Sequence, residues 1–149
     1  MPITLHSSRC LITGYGRIGK VLARMLKGMG AYVCVEARKY ADLAMIDSIG
    51  CEAVSLGELP LCVGSFDAIF NTVPAMLFDR DLLGRIDRKT LIIDLASKPG
   101  GVDFEAAKEM GIRVIWALSL PGKIAPVTSG AIIKDTIMNI MNEILMSED

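Results

Sequence analysis

The sequence holds a single histidine, His6, and it lies ahead of the first strand-like run. No Ser/His/Asp set can be assembled around it, and no second histidine or paired cysteine stands near it to make a metal site. His6 reads as an exposed terminal residue. The four cysteines, Cys10, Cys34, Cys51 and Cys62, show no CxxC pairing. They read as reduced thiols acting as small hydrophobes, with Cys10 and Cys34 inside apolar runs. No apolar run approaches the roughly 18 residues of a membrane span. The start, MPITLHSSR, has no apolar signal core, so a cytoplasmic location is expected. Excess charge is absent too: the net charge is −1, which gives no general pull toward nucleic acid or an anionic membrane.

What is present is a globular composition, 52 % hydrophobic and 22 % charged, on 149 residues, enough for one domain with its own core. Strand-length apolar runs alternate with helical patterns. The expected strands are 10–14, 32–36, 52–56, 67–73, 90–96 and 112–118. The expected helices are 18–29, 40–50, a weak turn at 58–65, 79–86, 103–111 and a long one from Pro126 to Leu145. Strands apolar on both faces and joined by helices predict an α/β fold: a doubly wound parallel sheet with helices on both faces and strand order 3-2-1-4-5-6. No linker, repeat or low-complexity stretch divides the chain, so one domain is expected over 1–149.

The stretch ITGYGRIGKVLARML, residues 12–26, joins the first strand to the first helix and contains G-x-G-x-x-G at Gly14, Gly16 and Gly19. Between a strand and a helix of a βαβ unit, that spacing is the fingerprint of a dinucleotide site. Gly14 makes the tight turn, Gly16 admits a pyrophosphate to the backbone, and Gly19 lets helix and strand pack closely. The helix mouth then offers free N–H groups and partial positive charge to the phosphates. The ribose is read at the end of the second strand, VCVEARK. Counting from the glycines, Ala37 falls where an acid would favour NAD, and Arg38 and Lys39 follow. A missing acid beside two cations favours the 2′-phosphate of NADP. The alternative is NAD, with Arg38 and Lys39 as ordinary solvated charges and Glu36 reaching the ribose.

Ligands of such sheets bind outside the carboxyl ends of the strands. Three loops gather there: NTVPA at 71–75, DLASKPGGVD at 94–103 and LSLPGKIAPVTSG at 118–130. Asn71 and Thr72 can hydrogen-bond a ribose or amide, and Pro74 stiffens their loop. Lys98 and Lys123 are the cations available to an anionic substrate, although Lys98 also reads as a surface lysine beside a turn. Ser97, Ser119, Thr128 and Ser129 can equally cap turns and the last helix.

These loops carry a resemblance. HSSRCLITGYGRIG, NTVPA, LIIDLASKPGGVDF and LPGKIAPVTSGAII together make the chain resemble the C-terminal, nucleotide-binding half of the A-subunit family of dipicolinate synthase. More loosely it is similar to alanine dehydrogenases and D-2-hydroxyacid dehydrogenases. The catalytic arginine of the latter is not carried over, because Ser97 and Lys98 occupy that region. The resemblance implies an enzyme of sporulating Firmicutes, at work in the mother cell. It implies oxidation of a dihydropyridine dicarboxylate to pyridine-2,6-dicarboxylate with hydride passing to NADP. The implied partner is the flavoprotein-like B subunit of dipicolinate synthase. Gly14, Gly16, Arg17, Ile18 and Gly19 match the family's cofactor turn, Ala37, Arg38 and Lys39 its ribose end, and Asn71, Thr72, Val73 and Pro74 its nicotinamide side. Lys98, Gly100 and Gly101 match its substrate-facing loop, where Lys98 is the candidate contact for a substrate carboxylate. Ser119 and Pro121 complete the candidate cofactor set.

Members of that family carry a further N-terminal domain, and the cleft lies between the two. Only nine residues precede the first strand here. The expectation is therefore coenzyme binding without turnover by this chain alone, and the alternative is a stand-alone nucleotide-binding or regulatory module. In the last helix Ile133, Ile137, Met138, Ile140, Met141, Ile144 and Leu145 form a stripe wider than one sheet contact needs, which predicts a homodimer.

Overall fold

The computed structural model describes residues 5–117. Six strands form one parallel sheet in the order β3-β2-β1-β4-β5-β6. They are β1 (Arg9–Thr13), β2 (Tyr32–Glu36), β3 (Glu52–Val54), β4 (Ala68–Asn71), β5 (Leu91–Asp94) and β6 (Arg113–Trp116). Between them run α1 (Arg17–Gly28), α2 (Tyr40–Ser48), α3 (Leu59–Cys62) with a 3₁₀ turn at Val63–Ser65, α4 (Arg80–Leu83) and α5 (Phe104–Met110). This is the doubly wound order expected from the alternation of apolar runs. The long helix expected at 126–145, with its stripe and the homodimer inferred from it, lies outside the described residues, as do Ser119, Pro121 and Lys123.

Every residue of β4 and β5 is buried, and all but the first of β1 and β2. That follows from helices on both faces, because side chains alternate across a strand and each face needs a cover. Cys10, Ile12, Val35, Phe70 and Ile93 pack with Leu22 and Leu26 of α1 and Ile46 of α2. Leu11, Cys34, Ile69 and Ile92 pack on the opposite face with Leu59, Leu83, Ala106 and Ala107 from α3, α4 and α5. Burial pushes the Cys10 and Cys34 thiols up to about 12, so at neutral pH they are inert filler in these cores. The helix ends are set by local chemistry. Asp79 and Asp103 cap α4 and α5 by accepting from Leu82 N at 2.9 Å and Ala106 N at 3.0 Å. Gly111, at φ +72°, ends α5 in the left-handed conformation that glycine tolerates.

Packing on both faces sets the expected cost of mutation. Ile12 is wholly buried while Tyr40 is 91 % exposed. Ile12→Val should lower the unfolding free energy by about 1 kcal/mol, and Tyr40→Ala should change it by less than about 0.5 kcal/mol. Denaturant midpoints measure both, and equal shifts would contradict the two-faced core.

Candidate functional site

The sheet order reverses between β1 and β4, and the carboxyl ends of these strands frame the candidate site. Gly14 follows β1 with φ +93°. A Cβ placed there would lie 2.4 Å from Thr72 Oγ1, so the turn fits under the β4 loop only with glycine. A Cβ on Gly19 would lie 2.2 Å from the carbonyl oxygen of Gly14. The first turn of α1 therefore rests directly on the end of β1. Gly16 is exposed, caps α1 without a side-chain bond, and a Cβ on it would meet nothing within 4 Å. No acid occupies the first turn of α1. The helix mouth is thus open, lined by backbone and not self-neutralised, which suits an anion. Arg17 is exposed and Ile18 half-buried at its rim.

The strand ends form a row. Register pairs Glu36 with Thr13, Thr13 with Asn71, Asn71 with Asp94 and Asp94 with Trp116. Glu36, Thr13, Asn71 and Asp94 are all buried and polar. Alternation puts them on the face of Leu11, Ile69 and Ile92. Thr13 Oγ1 donates to Asn71 Oδ1 at 2.7 Å, and Asn71 Nδ2 donates to Asp94 Oδ1 at 3.0 Å. Asp94 also accepts from Ala96 N at 3.1 Å and from Gly101 N at 2.9 Å. Asn71 closes its own loop as well, accepting from Val73 N at 3.2 Å and donating to Val73 O at 3.0 Å.

The sequence suggested that Asn71 faces a ribose or amide. The structure turns its side chain inward, with both donors and both acceptor directions used inside the chain. Thr72 donates its hydroxyl to Thr13 O at 2.7 Å, which leaves its oxygen able to accept. Val73 is half-buried and Pro74 exposed beside it. Lys98 is exposed on the loop after β5 and has no hydrogen-bond or ion-pair partner among the described residues.

At the end of β2, Ala37 is buried, and Arg38 and Lys39 are exposed. Glu36 is 2 % exposed; its Oε2 accepts from Gly14 N at 3.3 Å, and its Oε1 is buried with no partner. Burial holds its carboxyl above the ordinary range, opposed by the Gly14 hydrogen bond and the nearby Arg38 charge. A buried carboxylate oxygen without a partner, an open helix mouth and two cations at the rim fit a nicotinamide dinucleotide with its phosphates at Gly14–Gly19. Among the described residues no group of three or more His, Cys, Asp or Glu could hold a metal, and no helix is long and apolar enough to cross a membrane.

Asp94 is not among the residues the sequence singles out, and Glu36 stands out there only as an alternative ribose ligand. Each ends an apolar strand, YVCVE or LIID, and a lone acid in such a place was the available signal.

Residues 1–99 match the family described as "D-isomer specific 2-hydroxyacid dehydrogenase, NAD binding domain". The A subunit of dipicolinate synthase from Bacillus subtilis (strain 168) is 39 % identical over 145 residues, covering 97 % of this chain and 49 % of that protein. The crystal structure of the Bacillus subtilis dipicolinate synthase A chain superposes with a TM-score of 0.80 at 38 % identity, over 100 % of this chain and 50 % of that one. The Bacillus halodurans A-subunit structure gives a TM-score of 0.80 at 35 % identity, over 95 % of this chain and 48 % of that one. The chain thus spans about half the length of these relatives. Its fold, its glycine turn and the match over residues 1–99 make it a member of the D-isomer specific 2-hydroxyacid dehydrogenase NAD-binding-domain family, similar along nearly its whole length to one half of the dipicolinate synthase A subunit.

Proposed function

We propose that this chain is the NADP-binding half of a dipicolinate synthase A subunit, serving the oxidation of dihydrodipicolinate to dipicolinate. The observation that carries this reading is the glycine turn. Gly14 is wedged under Thr72, Gly19 rests on the Gly14 carbonyl, and the mouth of α1 is free of side-chain cap and acid. The backbone N–H groups at Gly16, Arg17 and Ile18 would take the pyrophosphate. Arg38 and Lys39 would meet the 2′-phosphate. Ala37 leaves room there, and Glu36 is drawn back onto the Gly14 amide. When bound, the coenzyme supplies a hydride acceptor, and the dihydropyridine dicarboxylate gives up one hydride and one proton on becoming aromatic. The chain's part is to hold coenzyme and substrate in register. Lys98 would hold a substrate carboxylate, with the half-buried Thr72 and Val73 forming the wall beside it. The B subunit as partner and a sporulating cell as setting belong to the same reading, on the strength of the likeness to the A subunit.

Titration with NADPH and NADH tests the coenzyme. Arg38→Asp should weaken NADPH by about tenfold, roughly 1.4 kcal/mol, and NADH by less than about twofold. Equal losses would remove the case for NADP. Dihydrodipicolinate added to the NADP-loaded chain, with and without the other half of an A subunit supplied separately, reads turnover by absorbance. Binding without turnover in both cases would favour a nucleotide-binding module over an enzyme half.

Glu36 lies beneath the ribose end, and its ionisation bears on stability. Its folded value is raised above the ordinary 4.5. Between those two values the native state holds the proton that the unfolded chain releases, so stability falls as pH rises through this window and then levels. Glu36→Gln removes that dependence. The variant's unfolding free energy relative to the parent should climb as pH rises above about 4.5 and reach a plateau. Parallel pH curves from chemical denaturation would show that Glu36 is not strained by burial.

A further inference from the structure

Asp94 is wholly buried at the last position of β5. Its carboxylate is met by N–H donors alone: Asn71 Nδ2, Ala96 N and Gly101 N, at 3.0, 3.1 and 2.9 Å. Among the described residues no salt bridge reaches it. Burying a carboxylate is costly unless its oxygens are satisfied, so this charge is stable only while the surrounding loop keeps its shape. Ala96 and Gly101 bracket the segment that carries Ser97 and Lys98. The same segment is held at its other points by Gly100 N to Ser97 O at 2.8 Å and Trp116 Nε1 to Ala96 O at 3.4 Å. A Cβ on Gly100 would come within 2.9 Å of Asp94 Oδ2, so the loop lies directly on the carboxylate. Through Asn71 the same carboxylate is linked to Thr13, one residue ahead of the glycine turn.

We propose that Asp94 is a positioning residue that sets Lys98 relative to the glycine turn. Recognition of a substrate carboxylate then depends on Asp94, while recognition of the coenzyme phosphates does not. This rests on the reading of Lys98 as the carboxylate contact. In Asp94→Asn one oxygen becomes an N–H₂ group. Whichever way the amide turns, a donor faces a donor: Gly101 N in one orientation, Asn71 Nδ2 and Ala96 N in the other. The glycine turn keeps its own bonds, Gly14 N to Glu36 and Thr72 to Thr13 O.

The test is a double-mutant cycle on the NADP-saturated chain, titrated with pyridine-2,6-dicarboxylate in a calorimeter. It compares the parent, Asp94→Asn, Lys98→Met and the double variant, each also titrated with NADPH alone. Asp94→Asn and Lys98→Met should each weaken the dicarboxylate by about tenfold, and the double variant should be within about threefold of Lys98→Met. NADPH affinity of Asp94→Asn should stay within about threefold of the parent. Loss by the same factor whether or not Lys98 is present would overturn the proposal, as would no loss at all. A parent chain that takes up NADP but no dicarboxylate, even with the other half of an A subunit supplied, would instead sink the substrate reading, and the positioning role with it. Should Asp94→Asn not fold, Asn71→Ser leaves the carboxylate on both loop amides and removes its side-chain donor, together with the Asn71 bonds to Thr13 and Val73. A smaller dicarboxylate loss that vanishes in the Lys98→Met background is then expected, and a loss that persists there would refute the proposal.

Discussion

Contact between the first turn of α1 and the end of β1 is the constraint on which the rest depends. With Gly19 seated on the Gly14 carbonyl, the helix axis is brought up to the strand end, and its free N–H groups open above β1 and β4. A methyl group at position 19 would meet backbone, not a flexible side chain, so no small rotation relieves it. The direction of α1, the exposure of Gly16 and the location of the helix dipole all follow from that approach. The apolar stripe of α1, Leu22, Ala23 and Leu26, then fixes its roll against Ile12 and Val35.

A second layer of order comes from the polar row at the strand ends. A parallel sheet covered on both faces has no room for unsatisfied polar groups, yet four adjacent strands end here in Glu36, Thr13, Asn71 and Asp94. Three of these satisfy one another and the loop amides beyond them, which turns the edge into a single hydrogen-bonded platform. Glu36 is the exception, with one oxygen bound to the glycine turn and the other buried without a partner. The loops that follow therefore start from defined positions. Gly101 shows how far the order extends, because its carbonyl accepts from Leu77 N at 3.0 Å and Phe78 N at 2.8 Å while its N–H is on Asp94.

Much of this was legible in the sequence. Apolar runs at 32–36 and 90–96, with helical spacing between glycine stops, were enough for the strand order, since right-handed crossovers leave few alternatives for six alternating units. The glycine turn could be read because its cause is local: three residues without side chains, on a strand followed by a helix. Arg38 and Lys39 could be placed just beyond the carboxyl end of β2 by counting from those glycines. Asn71 was legible as a strand-end residue but not in its orientation, because its partners lie on strands 58 and 23 residues away.

By itself the sequence determined the fold class, the strand order and the position of the glycine turn, because periodicity, glycine spacing and strand-end residues act over a few positions. Tertiary structure alone decided which polar groups are spent inside the protein and which remain for a ligand. Register across parallel strands makes that decision: it sets Thr13, Asn71 and Asp94 side by side, and a buried donor or acceptor takes the nearest partner the sheet presents.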